Sequence, residues 1–91
     1  MNYEFKPSFD RMFKKLPKAR RDNVEKAVNA LIDFFATGQK TRGLGLKQLR
    51  GKFWEIRADI RDRILFHLES GKVSFLLVGN HDEIRRYLRQ L

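Results

Sequence analysis

The hydrophobic period changes twice along this chain, and that restricts the fold more than any other feature. Phe9, Met12, Phe13 and Leu16 recur at i, i+3, i+4 and i+7, with Arg11, Lys14 and Lys15 between them. Val24, Ala27, Val28, Leu31 and Phe35 continue the helical period over residues 18–36. From Leu44 the period drops to two, and it stays there to Val78. It returns to the helical value at Ile84, Tyr87, Leu88 and Leu91. Helices therefore come in a block, and strands follow as hairpins.

Turn and cap residues divide these runs into elements. Tyr3-Glu4-Phe5-Lys6 alternates as a short strand, broken at Pro7-Ser8, where Ser8 is placed to cap the first helix. Pro17 closes that helix and opens the second, predicting an antiparallel helix pair. Thr37 to Gly43 is a polar loop. The spacing then predicts strands over 44–49, 53–58, 61–69 and 72–78, with a tight turn at Asp59-Ile60 and a hairpin turn at Ser70-Gly71. The last strand is apolar almost throughout, which predicts a central position covered on both faces. Asn80 and Glu83 have the spacing of a capping box for the final helix. The predicted order is β-α-α-β-β-β-β-α in one domain spanning residues 1–91. The fold class is α+β: two N-terminal helices packed on a mainly antiparallel four- to five-stranded sheet, with a C-terminal helix.

Composition excludes several chemistries. With no Cys there is no disulfide framework, thiol nucleophile or Cys-held zinc, so the eight Phe must build the core unaided. The two His have no metal-ligand spacing, and no metal or other cofactor is expected. Gly43-Leu44-Gly45 lacks the Lys-Ser/Thr continuation of a phosphate loop, and there is no Gly-x-Ser-x-Gly. No apolar run approaches the about 18 residues of a spanning helix. Met1 to Lys6 lacks the order of a signal peptide. A cytoplasmic protein without membrane contact is the expectation.

The net charge of +9 is spread along the chain, +5 over residues 1–45 and +4 over 46–91. A small basic domain points to a polyanion or an acidic protein partner. The density peaks over residues 40–63, with eight basic residues against three acids. Alternation places Trp54, Ile56 and Ala58 on one face of their strand and Phe53, Glu55 and Arg57 on the other. On the next strand Ile64, Phe66 and Leu68 oppose Arg61, Arg63, Leu65, His67 and Glu69. Arg57, Arg61 and Arg63 then share a non-core face, where guanidinium forks suit a phosphate. The same spacing serves cross-strand ion pairing of Glu55 and Asp59 with Arg61 and Arg63 equally well. His81 falls where the last strand meets the N-terminus of the last helix, a position that attracts anions. A first-turn histidine with a purely structural bond fits there too. His67, in mid-strand, reads as packing or facing solvent, and Trp54 as core. Tyr87 lies on the apolar stripe of the final helix, with its hydroxyl able to emerge at a site.

Leu49-Arg50-Gly51, Phe53-Trp54-Glu55-Ile56-Arg57, Arg61-Asp62-Arg63-Ile64-Leu65-Phe66 and Lys72 to Val78, leading into Gly79-Asn80-His81-Asp82-Glu83-Ile84, together resemble the RelE/ParE superfamily of type II toxin–antitoxin toxins. The Gly-x-His-Asp-Glu-Ile ending looks like its YafQ-type branch. The resemblance implies a ribosome-dependent mRNA endonuclease that cuts by metal-free attack of a ribose 2′-OH on the adjacent phosphate. It implies Arg57, Arg63, His81 and Tyr87 as catalytic positions, with His81 as general acid or base and Arg63 at the scissile phosphate. Lys47, Arg50, Lys52, Arg61 and Arg85 are then candidates for RNA contacts. Glu55 stands where RelE-like toxins often carry a second Lys or Arg; it could act as a base or neutralise Arg57. The implied partners are a cognate acidic antitoxin, the ribosome and mRNA. Two alternatives belong to the same superfamily: a ParE-like gyrase inhibitor without nuclease activity, and an inactive antitoxin-binding relic.

Overall fold

The computed structural model describes residues 1–91. The elements are β1 (Asn2–Phe5), α1 (Pro7–Lys15), α2 (Lys18–Thr37), β2 (Lys47–Arg50), β3 (Phe53–Arg57), β4 (Arg63–Glu69), β5 (Lys72–Gly79) and α3 (His81–Arg89). The order read from the periodicity is the order observed. The strands form one sheet, β1-β5-β4-β3-β2, in which β1 runs parallel to β5 and the other pairs are antiparallel.

Strand alternation sends side chains to two cores. Ile56, Ile64, Phe66, Val73, Phe75 and Val78 pack with Phe9 of α1 and with Val24, Ala27, Val28 and Leu31 of α2. On the opposite face Leu65 and Leu76 pack with Ile84 of α3, joined by Leu49, Phe53, Leu77, Tyr87 and Leu88. The near-continuous apolar run of β5 has a second cause besides burial on both faces. A register shift occurs where Leu65 faces Leu77 and Phe66 faces Phe75. This bulge inserts one residue and lets the adjacent Leu76 and Leu77 both serve the α3 core. No helix is long and apolar enough to cross a membrane.

Three local expectations are corrected. Ser8 is not the cap of α1: the helix starts at Pro7, where the missing N–H costs nothing, and Lys6 occupies the cap position. The Ser8 hydroxyl instead donates to the Leu76 carbonyl at 2.5 Å, tying α1 to β5. The strand expected from Leu44 begins at Lys47, because Gly43 and Gly45 take left-handed backbone. Leu44 is still buried in the helix-side core, which produced its strand-like signal. Arg61 and Asp62 belong to a five-residue connection rather than to β4. There Asp59 Oδ1 accepts the backbone N–H groups of Arg61 and Asp62, at 2.9 and 2.7 Å, and Ala58 N–H donates to the Asp62 carbonyl. By contrast, Ser70 and Gly71, with φ of 50° and 74°, form the expected two-residue hairpin turn.

The Asp59 turn makes stability acid-sensitive. The backbone N–H of Asp62 holds the Asp59 carboxyl below its ordinary value, helped by Arg61 N–H, the Asn23 amide and the Arg20 charge, against partial desolvation. A depressed folded-state value means that the contribution is complete above the unfolded value near 3.8 and disappears as pH falls through the folded one. Asp59→Ala is therefore expected to lower Tm at pH 7 and to lose less additional Tm than the parent between pH 5 and pH 2.5. Parallel Tm–pH curves for the two proteins would contradict this account.

Candidate functional site

The position of His81 is set by the start of α3. Asn80 Oδ1 accepts the Glu83 backbone N–H at 2.8 Å, and Glu83 Oε1 accepts the Asn80 N–H at 2.9 Å. This completes the capping box expected from the spacing. His81 is thereby the first helical residue, exposed, directly beyond the end of β5. Asn80→Ala is expected to cost about 1 kcal/mol in urea unfolding, as loss of a polar cap usually does. It should also broaden the His81 imidazole signals in NMR, since the residue loses its anchor.

Beneath α3 the apolar stripe seats on the sheet, and Ile84 is fully buried there. Between α3 and the β2–β3 hairpin lies a cavity of 430 Å³. Its polar walls are Lys47, Gln48 and Arg50 of β2, Glu55 of β3, and His81, Arg85 and Arg89 of α3. Leu49, Ile84 and Leu88 form the apolar part. Arg50 Nη2 also donates to the Leu88 carbonyl at 3.0 Å, tying β2 to the last turn of α3 across the cavity.

Glu55 is the buried acid of this cavity, only 7% exposed. Alternation turns it toward α3, and Leu65 faces it from β4. Its Oε2 lies 3.8 Å from Arg63 Nε. Arg63 Nη1 in turn donates to the carbonyls of Asp59 and Ile60, at 3.1 and 3.3 Å, so the preceding turn holds this guanidinium. Register places Arg57 opposite Arg63, and Arg63 opposite Gly79, two residues before His81. Arg57, Arg63 and the approach to His81 thus form one row across the end of three strands.

The structure gathers Lys47, Arg50, Glu55, His81 and Arg85 around one cavity and connects Arg63 to it through Glu55. It does not gather every candidate there. Arg57 is exposed and lies over Gly45, its Nε 3.7 Å from where a Cβ at Gly45 would stand. Glu55 pairs with Arg63 and not with Arg57. Arg61 is exposed in the β3–β4 connection and joins no shared arginine face. Lys52 pairs with Glu69 at the far end of the β3–β4 hairpin. Tyr87 lines a separate depression with Met12, Leu77, Glu83 and Arg86. Arg89 was not among the site candidates, although it follows Arg85 by four residues and so shares its helix face. No group of three or more His, Asp or Glu stands in metal-binding geometry.

The arrangement can bind and polarise an anion. A carboxylate and an imidazole line the same cavity, basic side chains surround it, and a guanidinium sits behind the carboxylate. This supplies a proton acceptor, a proton donor and charge stabilisation within a single space.

No family model matches the chain, and neither does any curated protein sequence. Solved structures do. The Escherichia coli DinJ–YafQ complex is similar with a TM-score of 0.70 and 12% identity, covering 91% of this chain and 96% of its counterpart. The RelB–RelE antitoxin–toxin complex of Methanococcus jannaschii has a TM-score of 0.67 and 17% identity, covering 92% and 96%. The YoeB/ParE toxin of Agrobacterium tumefaciens has a TM-score of 0.63 and 19% identity, covering 89% and 99%. The fold is that of the RelE-like toxins, and the α+β architecture expected from the sequence is the one these structures share.

Proposed function

We propose that this chain is the toxin of a type II toxin–antitoxin system and a metal-independent endoribonuclease acting on mRNA at the ribosome, with residues 1–91 as one functional unit. The observation that carries the reading is the placing of Glu55 and His81 on one basic cavity of a RelE-like fold. Cleavage needs a base for the 2′-OH, stabilisation of charge on the phosphorus, and an acid for the departing 5′-oxygen. Glu55 takes the 2′-proton, because a carboxylate held beside Arg63 is a fixed acceptor. The 2′-oxygen bonds to phosphorus, the P–O5′ bond breaks, and His81 protonates the 5′-oxygen. The products are a 2′,3′-cyclic phosphate and a 5′-hydroxyl. Arg63, with Lys47, Arg50, Arg85 and Arg89, faces the added negative charge. Arg57, on the same strand-end row, extends the basic field.

The +9 charge supports docking to ribosomal and messenger RNA through phosphate contacts. It equally supports a cognate acidic antitoxin that neutralises the cavity in the cytoplasm. Four of the structures similar in fold are toxins solved with antitoxins, two with DinJ, one with RelB and one with YefM.

The test is induced expression with and without the neighbouring gene, followed by mapping of mRNA 5′ ends. The expected result is growth arrest with new 5′-hydroxyl ends inside coding regions, relieved by the neighbour. Gyrase inhibition with intact mRNA would place the chain with ParE-like inhibitors. Unaffected growth would place it with inactive antitoxin binders.

A further inference from the structure

The direction of the Arg63 side chain is set by the β3–β4 connection. Its Nη1 donates to the Asp59 and Ile60 carbonyls at 3.1 and 3.3 Å, while its Nε lies 3.8 Å from Glu55 Oε2. A shift of the connection therefore carries both acceptors, and the guanidinium with them. The tip of the connection has no packing to hold it: Ile60 is 96% exposed, and Arg61 is exposed beside it. Its shape rests on hydrogen bonds.

The tertiary bonds come from α2, on the face of the sheet opposite Glu55. Asp62 and Arg63 are consecutive, and they diverge. Arg63 shares the α3 face with Leu65, two residues further on, whereas Asp62 turns to α2. Arg20 grips the buried Asp62 carboxylate through Nε and Nη2, both at 2.8 Å. One helical turn later, on the same helix face, Asn23 Nδ2 donates to Asp59 Oδ2 at 3.5 Å. The other oxygen of Asp59 holds the Arg61 and Asp62 N–H groups. Both acids of the connection are thus fastened to one helix, the Asp62 link far more firmly than the Asp59 link.

We propose that Arg20 and Asp62 are positioning residues for the reaction: from across the sheet they fix the connection whose carbonyls aim Arg63 at Glu55 and at the charge developing on phosphorus. The proposal rests on the endoribonuclease reading, and the experiment separates the two. Asp62→Asn keeps the size of the side chain and the backbone bonds of the connection, but gives up the bidentate acceptor. Its single-turnover cleavage rate on ribosome–mRNA complexes, at saturating toxin, should fall about tenfold, less than the about 10² of a 1 Å misplacement. The toxin concentration giving half the maximal rate should stay the same, since binding groups are untouched. In an Arg63→Ala background the same substitution should lower the rate no further, because the residue it acts through is gone. In the purified chain the Arg63 Nε–Hε NMR signal should shift or broaden in Asp62→Asn. Arg20→Lys should show a smaller loss and a smaller shift of the same kind, and it carries the test if Asp62→Asn does not fold. Losses that multiply in the double variant would overturn the proposal. So would a parental Arg63 signal and saturating rate in variants whose Tm has fallen, since the pair would then be structural alone. A shifted Arg63 signal in variants of a parent that cuts no mRNA would uphold the hold on Arg63 and overturn the endoribonuclease reading.

Discussion

Arg20→Ala lowers the unfolding free energy by about 3–5 kcal/mol, the expected effect of stranding a buried charge. Asp62 is 1% exposed, and its carboxylate oxygens accept only from Arg20: Nε to Oδ2 and Nη2 to Oδ1, both at 2.8 Å. The fork is bidentate, and the Asp62 bond drives the Arg20 guanidinium still further above its ordinary value, with desolvation opposing. The pair joins the first turn of α2 to the β3–β4 connection, which in turn holds Arg63. Domains of this size are stabilised by about 5–15 kcal/mol in total, so the loss takes a large share. Urea unfolding at pH 7 measures it. Arg20→Lys should fall between parent and Arg20→Ala, because an ammonium keeps the charge and loses the fork. Arg20→Leu with Asp62→Leu should recover most of the stability, since no charge is then stranded. A loss below about 1 kcal/mol in Arg20→Ala would show that water satisfies Asp62 and that the pair is not a clamp.

If the proposed cleavage is right, His81→Ala is expected to reduce mRNA cleavage in a translating extract by about 10²–10⁴, the usual range for removal of a general acid or base. The fold should be unaffected: His81 is exposed, and the bonds that start α3 come from Asn80 and Glu83. Glu55→Gln is expected to lose a comparable factor while keeping the shape of the cavity wall. Its unfolding midpoint should fall modestly, because Arg63 keeps its two carbonyl acceptors. The rate of appearance of new 5′ ends is the readout, with Tm as the control. Cleavage at the parental rate in both variants would remove this cavity from the reaction.

Much of the site's framework was readable without coordinates. The capping box is a local motif, since both its bonds span three residues, and it placed His81 at a helix start. The alternation of β3 put Glu55 on the face away from Trp54 and Ile56, and that face looks toward α3. That Arg57 lies near Arg63 followed from pairing two strands across a short connection, but their direct opposition comes from a connection longer than the two-residue turn expected. Three features were not readable. The Arg20–Asp62 pair links positions 42 residues apart, and neither sits in a pattern that marks it. The sequence offered both Arg63 and Arg57 as partners for Glu55; that Arg63 is the one depends on side-chain reach across the pair, on which register is silent. Tyr87 and His81 both belong to α3, yet six residues of helix carry Tyr87 to a different depression.

Periodicity, turn chemistry and charge count are properties of neighbouring residues, so the chain alone specified the element order, the two core-facing patterns, the hairpin at Ser70-Gly71 and the basic character of the surface. Which cations share a cavity was settled only when five strands and three helices packed. A guanidinium at the end of a long flexible stem goes wherever carboxylates, carbonyls and open space lie after folding. That is why Arg63 stands behind Glu55, Arg20 closes on Asp62, and Arg57 lies over Gly45.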